Sequence, residues 1–136
     1  MSDYFGAMGT ALYSALTGGS ALISALGGTL IYQDQAPDNA SLPYVVFSHM
    51  GGAPIMATPK DMREGLWYIR AYAQTRAQAN RLDGLLDDLV HKVEISVSSW
   101  TTYWCAREVD RSLVENPPGD SPVFSSGGIY RIRISK

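Results

Sequence analysis

The sequence predicts an α+β fold in which a single twisted, mostly antiparallel sheet of about four or five strands is covered by an N-terminal helix and a second long helix. Three observations support this prediction. A helical pattern precedes the first strand pattern, and cleanly alternating residues end the chain. Between Leu66 and Ala79 an aromatic strand pattern passes into a helical pattern with almost no turn, so this strand and helix should pack face to face. We expect one domain over residues 1–136.

The N-terminal segment predicts two helices. Gly18-Gly19 ends the first with residues that accept a positive φ, and Ser20 is placed to cap a short second helix that ends at Gly27-Gly28. The outer side of the first helix is polar but uncharged and includes Tyr4 and Tyr13, so we expect a neighbouring subunit to cover it. The apolar residues at helical spacing are Phe5, Met8, Leu12, Ala15 and Leu16 in the first helix and Leu22, Ile23 and Leu26 in the second.

The middle of the chain predicts three extended segments: Leu30-Ile31-Tyr32, residues 44–50 and residues 65–74. The third should be a central strand, because both of its faces are apolar or aromatic. One face carries Trp67, Ile69, Ala71 and Ala73, and the other carries Leu66, Tyr68, Arg70 and Tyr72. Residues 51–65 predict a long Gly- and Pro-rich loop, either a flexible hairpin tip or an arm that becomes ordered against a partner. This loop contains Ile55, Met56, Lys60 and Arg63.

The second half of the chain predicts a helix and two long strands. The helix, residues 76–92, should pack on the sheet through a stripe formed by Leu82, Leu85, Leu86, Leu89 and Val93. Residues 94–97 predict a short edge strand or lead-in, and residues 100–114 a strand with a bulge or bend near Ala106. Residues 115–127 form a turn-rich connection, and a last strand, 128–135, places Tyr130, Ile132 and Ile134 inward.

Composition excludes several classes of protein. Eleven basic and thirteen acidic residues give a net charge of −2, which argues against a protein that neutralises many phosphates by itself. The uncharged stretch between Asp3 and Asp34 is interrupted by Gly-Gly pairs and is too polar for a membrane span, and Met1-Ser2-Asp3 lacks a basic signal-peptide start. We therefore expect no membrane partner and a soluble protein that remains in the cytoplasm where it is made. The single cysteine, Cys105, predicts a buried inert thiol.

No motif of catalysis stands out in the sequence. His49 and His91 are too far apart to form a local zinc motif, and no glycine-rich segment has the spacing of a phosphate-binding loop. Pairs of Cys105 with either histidine are left open by the sequence but are expected by chance. Asp87 and Asp88 are adjacent on a helix and point about 100° apart, which favours a solvated face over an acid/base pair. We expect neither a cofactor nor enzymatic activity.

The aromatic content favours protein interfaces instead. More aromatic side chains lie on the predicted strands than one small sheet needs to bury, namely Tyr68, Tyr72, Tyr103, Trp104 and Tyr130. Aromatic and arginine residues are enriched where proteins bind each other. Arg131 and Arg133 alternate with the inward residues of the last strand, where they are either solvated or at an interface. The candidate interface residues are Tyr4, Tyr13, Ile55, Met56, Lys60, Arg63, Tyr68, Arg70, Tyr72, Val123, Phe124, Arg131 and Arg133.

The order of several segments resembles a known family. These segments are Ile31-Tyr32 followed by Ala36-Pro37, then Leu42-Pro43-Tyr44-Val45-Val46-Phe47, then the aromatic strand with Arg70, then a helix with Ala77, Ala79 and Leu82 followed by Leu85-Leu86-Asp87-Asp88-Leu89. Together they resemble the tail-completion or tail-terminator proteins of long-tailed bacteriophages. The resemblance covers about residues 4–92 and rests on order and spacing, so we expect one tail-terminator-like domain.

The resemblance implies a structural virion protein. Such proteins form a ring, typically hexameric, at the head-proximal end of the tail tube, where they end tube polymerisation and provide the docking surface for the head connector. The implied partners are further copies of the chain, the tail tube protein, the connector or stopper protein, and DNA that passes through the lumen without sequence-specific binding. A head-completion adaptor or stopper is the alternative within this class, and an enzyme or regulatory domain of similar topology is the alternative outside it.

Overall fold

The computed structural model describes residues 3–55, 62–115 and 121–135. Within these ranges the helices and strands follow the predicted order, and the α+β class is confirmed. The elements are α1 (Tyr4–Thr17), α2 (Ser20–Leu26), β1 (Ile31–Gln33), β2 (Tyr44–Ile55), β3 (Met62–Ala73), α3 (Arg76–Val90), β4 (Thr101–Glu115) and β5 (Val123–Ser135).

The five strands form one sheet in the order β1-β2-β3-β5-β4. The short β1 is parallel to β2, and the other neighbouring strands are antiparallel. The sheet is therefore mixed but mostly antiparallel, as expected. Strand β3 lies in the middle, which confirms the prediction made from its two apolar faces.

The helices and the inner face of the sheet share one hydrophobic core. Trp67 and Tyr130 are its largest residues without exposed surface, and Phe47 and Met8 follow them. The alternations predicted for β3 and β5 are confirmed, because every inward residue of both strands is fully buried: Trp67, Ile69, Ala71, Ala73, Tyr130, Ile132 and Ile134. The opposite, outer face carries half-buried residues such as Tyr68, Arg70 and Tyr72, none of which belongs to this core.

The ends of α1 and α2 differ in detail from the sequence prediction. Gly18 ends α1 with φ −77°, so this stop does not use a positive φ. Gly19, not Ser20, is the N-cap of α2, and it provides no side-chain hydrogen bond. The positive φ is found at Gly27, the C-cap of α2, with φ 81°. Asp3 caps α1 by accepting a hydrogen bond from the Gly6 N–H at 2.9 Å.

Helix α3 packs on the sheet through Ala79, Leu82, Leu86 and Val90. The predicted stripe was wrong at Val93, which lies beyond the helix and is 38% exposed. The helix ends at Val90 because His91 is extended and Lys92 adopts a positive φ of 59°. Leu85 and Leu89 are partly buried against the core.

Two predicted loops are largely strand, which corrects the sequence interpretation. Residues 51–55 and 62–65 continue β2 and β3 and pair with each other, after a bulge between His49 and Gly51. Strand β5 begins at Val123, so residues 123–127 are not part of a loop. Strands can pair through their backbones without an alternation of apolar and polar side chains. The Gly-rich composition of these residues therefore did not predict strands. The predicted interface residues Met56 and Lys60 lie outside the described residues, as do residues 116–120.

Two further predictions concern the last third of the chain. Residues 94–97 form no strand, but Ile95 and Val97 are buried against the core, so this segment is a lead-in to β4. Strand β4 has register shifts between Thr102 and Trp104 and between Arg107 and Val109. These shifts lie on either side of Ala106, which confirms the predicted irregularity.

Candidate functional site

The β2–β3 hairpin and the β4–β5 hairpin have their connected ends at opposite ends of the sheet. At one end, Met62 of β3 pairs with Ser135 of β5, next to the β2–β3 connection. At the other end, Ala73 of β3 pairs with Phe124 of β5, next to the β4–β5 connection. Strand β3 has 12 residues, so the two ends are separated by about 40 Å at about 3.4 Å per residue. The strand ends that flank the β2–β3 connection and those that flank the β4–β5 connection therefore lie at opposite ends of the sheet.

Arg70 brings together three of the predicted interface residues on the outer face. Its guanidinium lies 4.5 Å from the centre of the Tyr68 ring, and its Nε donates a hydrogen bond to the Tyr72 hydroxyl at 2.9 Å. It also donates to Ser48 Oγ at 3.0 Å. Burial, the largest influence, raises the pKa of Tyr68. The neighbouring Tyr44, Arg70 and Tyr72 line a groove of about 320 Å³ next to residues 34–40.

Arg131 and Arg133 form a charge ladder with two glutamates on the same face. Arg131 Nη1 lies 2.8 Å from Glu64 Oε1, and Arg131 Nε lies 2.7 Å from Glu108 Oε1. Arg133 Nε lies 3.1 Å from Glu64 Oε2, and its guanidinium lies 5.8 Å from the centre of the Trp104 ring. Two arginines and two glutamates leave no net charge here. No pattern in the sequence signalled either glutamate: the strand register pairs Glu64 with Arg133, and Glu108 lies at the register shift of β4, where its carboxylate reaches Arg131.

The remaining predicted residues divide between the two ends. Arg63 and Tyr4 meet near the β2–β3 connection, where Arg63 Nη2 donates to the Tyr4 hydroxyl at 3.1 Å and the guanidinium lies 4.0 Å from the ring centre. Half-buried Ile55 is at the same end. Val123 and Phe124 are half-buried at the opposite end. Tyr13 joins neither group, since it lies on α1, 42% exposed.

Comparisons with known proteins show the family and the fold of the chain. A family model described as "Tail completion protein gp17" matches residues 10–119. The chain belongs to this family. Among solved structures, a chain of a "Virion of native gene transfer agent (GTA) particle" has the same fold, with a TM-score of 0.83 and 16% sequence identity, and the match covers 100% of each chain. Curated proteins give no match to the sequence.

Membership of the tail completion family makes this a structural, tail-associated virion protein, a class that is not enzymatic.

Cys105 is 5% exposed, burial raises the pKa of its thiol to about 12, and the thiol donates to the Val90 carbonyl at 3.2 Å. The prediction of an inert buried thiol is therefore confirmed. His91 Nδ1 accepts a hydrogen bond from the Arg107 N–H, and the His49 ring lies 4.0 Å from that of Phe5.

Within residues 3–55, 62–115 and 121–135, no group of three or more His, Cys, Asp or Glu side chains could hold a metal ion. Over the same described ranges, each helix is too short or too polar to cross a lipid bilayer.

Asp87, expected on a solvated face, instead accepts a hydrogen bond from the Tyr130 hydroxyl at 2.6 Å, while Asp88 is exposed.

Glu64 makes the fold sensitive to acid. Burial is the largest influence on Glu64 and opposes its ionisation, but the hydrogen bonds and charges of Arg131 and Arg133 outweigh it and hold the Glu64 pKa below 4.5. A group with a lowered folded-state pKa stabilises the fold above its unfolded pKa, and this stabilisation is lost as the pH falls through the folded value.

We therefore expect Glu64→Gln to lower the free energy of unfolding by about 1 kcal/mol at pH 7, a value kept small because the pair is partly solvated. The difference from the unmodified protein should shrink as the pH falls below about 4.5, where the unfolded state begins to bind the proton, and should vanish once the pH has passed through the lowered pKa of Glu64 in the folded state. Urea unfolding at several pH values measures this, with exposed Glu94→Gln as the matched control. A difference that is independent of pH would contradict the prediction.

Proposed function

We propose that this tail completion protein is a tail terminator. It forms a ring, hexameric in the family it resembles, at the head-proximal end of the tail tube, where it ends tube polymerisation and provides the docking surface for the head connector. The observation that supports this proposal most directly is the placement of the two hairpin ends about 40 Å apart at opposite ends of the sheet. A protein inserted between a tube and a connector needs two such separate axial contacts.

In this arrangement the β2–β3 end contacts the tail tube, and the β4–β5 end contacts the connector. The first carries Arg63 and Tyr4 in contact with each other, together with half-buried Ile55. The second carries Val123 and Phe124, with the Arg76 guanidinium 5.3 Å from the centre of the Phe124 ring. Both ends combine aromatic and arginine side chains, which are enriched where proteins bind each other.

The charge distribution suits a ring through which DNA passes. The chain carries a net charge of −2, and the outer-face arginines Arg131 and Arg133 are neutralised by Glu64 and Glu108. Strong phosphate binding requires unpaired basic side chains that displace counterions. A surface whose arginines are already paired allows DNA to pass without being held.

A ring also requires two different complementary surfaces on each subunit. One candidate is the uncharged side of α1, where small side chains of Gly6, Ala7, Thr10 and Ser14 line a groove of about 450 Å³. The other is the outer face of the sheet, on which no helix of the described residues packs its buried side chains. Tyr68, Arg70 and Tyr72 contribute to this second surface.

The same two-ended geometry would suit a head-completion adaptor or stopper, which binds the portal side instead of the tube end. Electron microscopy of lysates from the phage or phage-like element that carries the gene distinguishes the two roles once the gene is disrupted. A terminator predicts tails that are overlong, variable and without heads, and that regain normal length when the intact gene is supplied. Free tails of normal length beside filled heads would assign an adaptor role, and normal particles would reject both roles.

A further inference from the structure

Strand β4 forms one edge of the sheet, and only half of that edge is protected. Along its first half, the Lys92 N–H donates to the Cys105 carbonyl at 2.7 Å, and the Arg107 N–H donates to His91 Nδ1 at 3.0 Å. From Glu108 to Glu115 every residue is exposed. Among the described residues, β5 is the only strand beside β4. Alternate backbone N–H and C=O groups of residues 108–115 therefore face outward, ready to pair with another strand.

The side chains of this open edge do little to prevent pairing. Residues 108–115 contain neither proline nor lysine, the usual residues that block an edge. Three of the charged side chains are engaged within the chain: Glu108 with Arg131 at 2.7 Å, Asp110 with Arg107 at 2.6 Å, and Arg111 with the Tyr68 ring at 5.4 Å. The apolar residues are exposed, namely Val109 at 47%, Leu113 at 43% and Val114 at 50%.

The sheet has a second open edge of the same length on its other side. Strand β1 pairs only with Val45 to Phe47 of β2, so residues 48–55 have no neighbouring strand on that side among the described residues. The Val45 N–H and the Phe47 carbonyl point toward the β1 side. Continued alternation past the bulge places the nitrogen of Pro54 on this open side, so Pro54 keeps its pairing with β3 but offers no N–H to a strand added there.

We propose that residues 108–115 of β4 pair antiparallel with residues 48–55 of β2 in a neighbouring copy of this chain. The inference rests on the proposed ring, and as its subunit contact it replaces the two candidate surfaces, the uncharged side of α1 and the outer face of the sheet, with the two open edges. Strands β4 and β2 run in opposite directions within the sheet, because three antiparallel pairings separate them. Copies related by rotation keep the direction of their strands along the ring axis, so the two edges meet antiparallel.

The positions of the two open edges also fit a closed ring. The strand register offsets the middle of one edge from the middle of the other by about five residues along β3, or about 17 Å. Five strands make the sheet about 24 Å wide, so joining the edges inclines the strands by about 35° to the ring axis. This lies within the tilt of about 35–45° found in closed barrels, and closure leaves no open edge.

Crosslinking in assembled tails tests the contact. Leu113→Cys combined with Ala53→Cys places one thiol on each edge, on the outer face and on exposed residues. The native Cys105 gives little background because it is buried and its pKa is raised to about 12. With a short bis-maleimide reagent, we expect a ladder of covalent multimers beyond the dimer. In the proposed register Val109 and Ala53 lie about one residue apart along the joined edges, and Leu113 and Ala53 about three residues, or about 10 Å. The pair Val109→Cys and Ala53→Cys should therefore also give a ladder, and it replaces the first pair if circular dichroism shows that the first does not fold.

The controls separate this inference from the proposed function. Leu113→Cys paired with exposed Ser24→Cys of α2 should give no ladder. A strong dimer from Leu113→Cys alone would indicate that two β4 edges pair with each other, which would overturn the proposal. Tails of normal length without a ladder would overturn the edge contact and leave the terminator function intact. A ladder from a protein whose loss does not affect tail length would support the edge contact and overturn the terminator function.

Discussion

Replacing Arg107 with alanine is expected to lower the free energy of unfolding by about 3 kcal/mol, in the range typical of breaking a buried ion pair. The Arg107 side chain is 13% exposed and binds Asp83 of α3 through two hydrogen bonds of 2.8 and 2.9 Å. It also donates to the Gly127 carbonyl at 2.6 Å and to the Tyr130 hydroxyl at 3.3 Å. The Arg107 side chain on β4 therefore connects α3 with β5 through hydrogen bonds.

The large effect follows from what the substitution leaves behind. Burial is the largest influence on Arg107 and opposes its charge, but Asp83 and Tyr130 outweigh it and hold the pKa of Arg107 above its ordinary value. Without the guanidinium, the half-buried carboxylate of Asp83 loses its partner. Asp87 is also affected, since it lies 3.5 Å from Arg107 and accepts a hydrogen bond from Tyr130.

Urea unfolding followed by tryptophan fluorescence measures this loss, because Trp67 lies fully buried in the core. The matched control is Arg81→Ala on α3, an exposed arginine whose removal should change the free energy of unfolding by less than about 0.5 kcal/mol. A second variant, Asp83→Asn, keeps the shape of the side chain and removes its charge, so it should also destabilise the fold. Equal effects of Arg107→Ala and Arg81→Ala would refute the role assigned to Arg107.

Shortening the β2–β3 connection is expected to abolish attachment to tails while the protein remains folded. The variant replaces residues 56–61 with the dipeptide Asn-Gly, which favours a two-residue hairpin turn. The pairs that precede this connection, including Ile55 with Met62, are retained, as is the whole core. Co-sedimentation with purified tails measures attachment, and circular dichroism checks the fold. Attachment by the shortened variant would reject the β2–β3 end as the contact with the tube.

A matched variant tests the other end of the sheet. Replacing residues 116–120 with the same dipeptide leaves the pairing of Glu115 with Val123 in place. It should still attach to tails of normal length but should leave them without heads, because the connector contact is placed at this end. If both variants failed in the same way, the two ends would not have separate partners.

The residue patterns of this chain predict the α+β class, the order of the elements and the inward faces of the central strands. Inward residues such as Trp67 and Ile69 are two positions apart, which is the period of one face of a strand. Leu82 and Leu86 are four positions apart, which is close to the period of a helix. The order of motifs from Ile31 to Leu89 also indicated the tail completion family, which the match over residues 10–119 confirmed. These signals are local, so one chain is enough to display them.

The contacts between distant residues and the open surfaces could not be predicted from the sequence, because they depend on how the strands pair in three dimensions. Arg131 pairs with Glu64 and Glu108, and Arg107 binds Asp83 of α3. Both contacts depend on strand register, which cannot be read from a local sequence pattern. The Gly- and Pro-rich residues 51–55 are strand because a neighbouring backbone supplies their hydrogen bonds, which overrides a weak local preference. The open edge at residues 108–115 likewise exists because the connection after α3 covers only the first half of β4.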